Sequence, residues 1–224
     1  MFILEISLLI TSLCFLVRPN FELASTIHHS VMAIEQTLFL LNYSMDPRDW
    51  LSCSIEDKNF MAYASIIIFL EIFWWCYDFS EIIRKRKEKT NLDFITFVLH
   101  HFFEIILEFY CIYYNLQVAG VVITCLHHYV DPFINIAKFC SGRNQYIRDF
   151  SFTIMIPIWI ITRLVLYPYI VYLVGEMPCS PTSVFVFLLS LIPLHLIWTF
   201  QILRIAYYKV FYGKTTDTTL KVNS

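Results

Sequence analysis

Apolar residues come in long blocks along this chain, separated by short polar links, at roughly 2–17, 24–43, 60–82, 94–114, 117–139, 150–174 and 183–210. A helix needs about 20 largely apolar residues to cross a bilayer. The first block is therefore marginal, and the second is diluted by His28, His29 and Glu35. The pattern predicts an all-α, polytopic helical membrane protein of about seven transmembrane helices. Residues 1–23 read as an N-terminal transmembrane anchor, 24–212 as one bundle domain and 213–224 as a short polar cytosolic tail. The first block lacks a basic leader, and Arg18-Pro19 follow it without a small-residue cleavage pattern. That predicts a retained helix rather than a removed signal peptide.

Composition agrees: 58% of the residues are hydrophobic and only 15% charged, against about 25% charged in soluble domains. A net charge of −2 argues against nucleic acid as a partner. Basic residues then orient the bundle. Arg18, the run Arg84, Lys85, Arg86, Lys87 and Lys89, the group Lys138, Arg143 and Arg148, and finally Lys209, Lys214 and Lys221 mark alternate links. By the positive-inside rule these links are cytosolic, which puts the N-terminus in the lumen and the C-terminus in the cytosol. The seven cysteines show neither CxxC nor zinc-ligand spacing. In this orientation Cys53, in the 44–59 link, and Cys179, in the 175–182 link, share an oxidising compartment, so a Cys53–Cys179 disulfide is a candidate.

Titratable side chains inside such blocks cost at least a few kcal/mol each unless paired or hydrated, so their positions carry information. His100, His101, Glu104 and Glu108 fall in the fourth block, and His127 and Asp131 in the fifth. The link between the blocks is short, which predicts antiparallel neighbours. His127 and Asp131, at i and i+4, would share one face and meet His100 and His101 at a similar depth. An imidazole whose second nitrogen is held by a carboxylate is suited to acid/base catalysis near neutral pH. Asp131 is the expected carboxylate. The alternative is that these histidines only tie helices together by hydrogen bonds. A cluster of histidine and aspartate is also a donor set for zinc or iron, but adjacent histidines project about 100° apart on a helix, and no metal is expected. Arg163, nearer the middle of its block, should need a carboxylate partner among Glu71, Glu104 and Glu108, whereas His28 and His29 read as structural.

The stretch His100-His101, Asn115, Gly120, Leu126-His127-His128-Tyr129-Val130-Asp131 and Ala137-Lys138 resembles the Lag1 motif of the TLC (TRAM–Lag1–CLN8) domain, as found in ceramide synthases. The likeness extends over about residues 60–214, through Ile161-Thr162-Arg163-Leu164-Val165 and Leu194-His195-Leu196-Ile197-Trp198. It departs from the family pattern at Glu104 (threonine), Val118 (arginine), His128 (aspartate) and Asn135 (an acidic residue). The resemblance implies a TLC-type bundle in the endoplasmic reticulum membrane that N-acylates a sphingoid long-chain base with acyl-CoA. It implies His100, His101, His127 and Asp131 as catalytic residues and Asn115, Glu104, Lys138 and Arg163 around the substrates. No cofactor would be bound; acyl-CoA is the co-substrate, and membrane lipids and a homodimer or heterodimer partner are the other expected contacts. Glu104 is a candidate replacement for the carboxylate missing at His128. The competing class is a non-catalytic TLC protein that organises lipids or assists membrane insertion.

Overall fold

The computed structural model describes residues 21–44, 49–51, 55 and 57–213, and its regular elements are helices. In chain order these are α1 (Phe21–Tyr43), a 3-10 turn (Asp49–Leu51), α2 (Lys58–Arg84), a 3-10 turn (Arg86–Glu88), α3 (Asn91–Tyr113), α4 (Gln117–His128), α5 (Asp131–Phe139), α6 (Gln145–Trp159), a π-helical segment (Ile160–Leu166), α7 (Tyr167–Glu176) and α8 (Thr182–Tyr212). Their ends follow local chemistry. The side chains of Asp57, Thr90 and Asn144 accept hydrogen bonds from the first free backbone N–H groups of α2, α3 and α6. Gly213, at φ 64°, ends α8 in the left-handed conformation that glycine adopts without a steric penalty.

Among the described residues, four helical stretches are long and apolar enough to cross a membrane: α2, α3, the continuous 145–176 run and α8. They account for four of the seven predicted spans. The 2–17 block and the tail beyond 213 lie outside the described residues. The 24–43 block does form a helix, α1, but His28, His29, Glu35 and Gln36 on its buried side keep it from qualifying.

The 117–139 block is two helices rather than one. Pro132 lacks an N–H, and its ring collides with the carbonyl four residues back if an α-helix continues through it. The chain accordingly breaks at Tyr129-Val130, and α5 starts at Asp131 with proline in its first turn. That leaves α4 with 12 residues, a rod of about 18 Å, at the centre of the molecule. Every residue of α4 except Leu126 is buried. α1, α2, α3, the π-helical segment and α7 pack around α4, α5 lies along α1 and α6, and α8 lies against α3 and α7. Gly120 allows a close approach. A Cβ there would sit 2.8 Å from Ile68 Cδ1 of α2 and 3.3 Å from Cys111 Cβ of α3.

Candidate active site

His100, at about the middle of α3, and His127, near the end of α4, come together across the seam of these two helices, their rings 5.4 Å apart. Between them stands Glu104, one turn on from His100. Its Oε1 is 3.1 Å from His127 Nε2 and 3.9 Å from His100 Nδ1. Glu104 and His127 are at most 1% exposed, and His100 is 7% exposed, so the cluster is shut off from bulk solvent. His127 Nδ1 lies 2.9 Å from the carbonyl of Ile123. A carbonyl only accepts, so Nδ1 carries the hydrogen and Nε2 of the neutral ring presents a lone pair. The 3.1 Å approach of Nε2 to Glu104 is not aligned as a hydrogen bond, and both Glu104 oxygens and His100 Nδ1 also lack one. Three acceptor-capable groups thus converge on a common point instead of pairing off.

Later helices close the site. Arg163, in the π-helical segment, donates to the backbone carbonyl of His127 at 3.3 Å and lies over the Trp159 ring. Its Nε and Nη1 have no hydrogen-bond partner. The expected carboxylate partner is not found among the described ion pairs, none of which includes Arg163. The π-helix has a local cause in its flanking prolines, Pro157 and Pro168, each of which removes an N–H from the helical ladder. His195, on α8, approaches His127 to 5.6 Å and packs edge-on to Tyr167 at 4.6 Å, ring centre to ring centre. Tyr167 is itself anchored, donating to the Leu188 carbonyl at 2.9 Å. Nothing in the sequence marks Tyr167 or Asp78 as a site residue, whereas His195, like His100, is a titratable group inside an apolar run.

The other predicted residues separate. His101 turns from the cluster and places Nε2 3.1 Å from Asp78 Oδ2 of α2. Asp131, predicted to share a face with His127, is carried off by the break before Pro132 and stands 3.6 Å from His29 Nδ1. His128 lies against Glu71 and His29, with Nε2 2.7 Å from Glu71 and Nδ1 2.6 Å from His29 Nδ1. Lys138 is exposed on α5. Asn115 is in the α3–α4 turn at φ 57°, a conformation asparagine tolerates, and 15 residues of helix put it roughly 22 Å from His100. Cys179 is disulfide-bonded; Cys53 lies outside the described residues.

The basic links gather at one end. Lys85 pairs with Glu22 at 3.2 Å and Lys209 with Asp149 at 2.6 Å. Lys89 rests on the Phe97 ring. Burial, and then the like charge of Lys138, pull the Lys89 ammonium down to about 8, with Asp78 opposing.

Among characterised proteins, the chain is 28% identical to ceramide synthase hyl-1 of Caenorhabditis elegans over 171 residues, covering 64% of this chain and 46% of that protein. It is 27% identical to mouse ceramide synthase 5 and 28% to human ceramide synthase 5, each over 154 residues covering 64% of this chain. It spans less than half the length of each of these relatives. With four helices apolar enough to cross a bilayer, it is a multi-pass membrane protein, and because residues 20–204 match the TLC domain family, it belongs to that family.

Proposed function

We propose that this protein is an acyltransferase that joins the acyl group of an acyl-CoA to the amine of a sphingoid base, with the cluster of His100, Glu104 and His127 as its acid/base centre. The observation that carries this reading is the convergence of His127 Nε2, His100 Nδ1 and Glu104 on one point, unpartnered and buried. An ammonium group offers three N–H donors, and three converging acceptors match it. The ammonium first gives one proton to Glu104, which releases it at the end of the cycle; as the freed nitrogen pair attacks the thioester carbonyl, His127 Nε2 takes a second proton from the nitrogen. The C–N bond forms and the C–S bond breaks. The departing thiolate takes a proton from the imidazolium, and the products are the amide and free CoA. Arg163, with two unpartnered N–H donors beside the cluster, stabilises the oxyanion of the tetrahedral intermediate. The His101–Asp78 pair lies nearer the basic end, where Lys85, Lys89 and Lys138 meet the CoA phosphates. We place that end in the cytosol and the protein in the endoplasmic reticulum membrane. Asn115, in the far turn, is assigned to the opposite face, away from the chemistry.

The test is to incubate the purified chain with a panel of acyl-CoAs and sphingoid bases and detect ceramide by mass spectrometry. His127→Ala and Glu104→Gln are each expected to lower turnover at least about 100-fold, the scale of a lost acid/base group. A folded wild-type protein that makes no N-acyl product from any pair would favour the non-catalytic role.

A further inference from the structure

The second polar cluster of the bundle is untouched by this chemistry. His28 and His29 of α1 and His128 of α4 are each at most 3% exposed, and one nitrogen from each lies within 4.8 Å of the other two. Glu71 of α2, fully buried, adjoins them, with Oε2 3.8 Å from His28 Nε2. We propose that His28, His29, His128 and Glu71 bind one divalent transition-metal ion, with zinc the best match to the donor set. The inference goes beyond the acyltransferase reading and does not depend on it.

Unmet valences make the case. Neither ring nitrogen of His28 has a hydrogen-bond partner, nor does Glu71 Oε2, and a buried polar atom left so costs about 1–3 kcal/mol. His28 is held by stacking on Trp74, ring centres 3.8 Å apart and planes 12° from parallel, so it is not free to turn outward. His29 Nδ1 and His128 Nδ1 face each other at 2.6 Å, a spacing that either an N–H of one ring or a shared cation satisfies. The N–H would serve that pair but leave His28 and Glu71 Oε2 unsatisfied. A single cation serves all four groups.

Adjacent histidines on one helix diverge by about 100°, the usual objection to such a pair. Here α4 supplies the remedy. His128 is set against both, its ring 5.8 Å from His28 and 4.9 Å from His29. Zinc–nitrogen bonds of about 2.0–2.1 Å put tetrahedral donor atoms about 3.3 Å apart. Side-chain rotation covers the remaining ångström or so. Three imidazoles and a carboxylate are a zinc-type donor set. Glu71 is oriented by Gln36, whose Nε2 donates to its Oε1 at 2.7 Å, the kind of outer contact that fixes a metal-binding carboxylate. Four protein ligands close the site, so the ion's role is structural: it ties α1 to α2 and α4. His128, which stands where the Lag1 pattern has an aspartate, supplies the third nitrogen.

The test is metal analysis of the full-length chain, purified in detergent with any polyhistidine tag removed and no chelator used. One zinc per chain is expected. His29→Ala and His128→Asp should lose it, while His127→Ala and Glu104→Gln, which alter the other histidine–carboxylate cluster, should keep it. The reverse pattern, or wild-type protein that binds no zinc even after zinc chloride is added, overturns the proposal and leaves a shared proton as the link between His29 and His128. Should the variants not fold, X-ray absorption on the zinc-loaded wild type decides. A shell of three imidazoles and one oxygen supports the site, and a shell with two imidazoles assigns the ion to His100 and His127 and overturns it.

Discussion

At the scale of single residues, the pairing of carboxylates with histidines is what the structure rearranges. His101 donates one nitrogen's worth of contact to Asp78 and keeps Nδ1 unpartnered and buried, so Asp78 is the group that fixes its tautomer. If the pair acts as a unit, Asp78→Asn and His101→Ala should each lower turnover at least about 10-fold, and the double variant should fall no further than His101→Ala alone. Additive losses in measured kcat would show two independent roles. The histidines themselves were legible, because a titratable group inside an apolar run is costly and so conspicuous. Their partners were legible only in part: the sequence offered Glu104 as a candidate carboxylate, but spacing put Asp131 beside His127. The carboxylate that lies 3.1 Å from His127 is Glu104, and the displacement of Asp131 rests on a proline one position after it that redirects the chain. The clue, Pro132, was in the sequence, but its effect on one side chain's direction depends on where α5 docks.

At the scale of elements, long helices with strong apolar runs were the readable part: α2, α3, the 145–176 run and α8 fall within a few residues of their expected limits. The short buried α4 was not, since a helix covered on all sides by protein has the same composition as one covered by lipid. Gly120 marks that difference. A Cβ there fits only if Ile68 Cδ1 of α2 shifts and Cys111 of α3 gives by a few tenths of an ångström. Gly120→Ala should destabilise the protein by about 1–3 kcal/mol, the range for overpacking a filled core, and Gly120→Val by more, both read as a lowered midpoint of thermal unfolding in detergent. Equal stability of all three proteins would mean that α4 is free to shift.

At the scale of the whole molecule, charge is sorted along the bundle, and one end carries the lysines placed here at the CoA phosphates. Lys89 titrates about 8. Below that value it is charged and attracts an anion; above it the attraction is lost. KM for acyl-CoA should therefore rise as pH passes from 7 to 9, with kcat less affected, and Lys89→Arg should flatten the profile because guanidinium keeps its charge. A wild-type KM that stays level over this range would remove Lys89 from the binding face. The complete enclosure of α4 has a further consequence, for biogenesis. Helices that qualify on apolarity can enter the bilayer one at a time as they are made. α1 and α4 owe their place to neighbours, and α1, with its buried histidines and Glu35, is synthesised before any of the helices that cover its polar side. Its final seat is available only after α2 and α4 exist, so α1, although made early, can settle into place only once both have followed it.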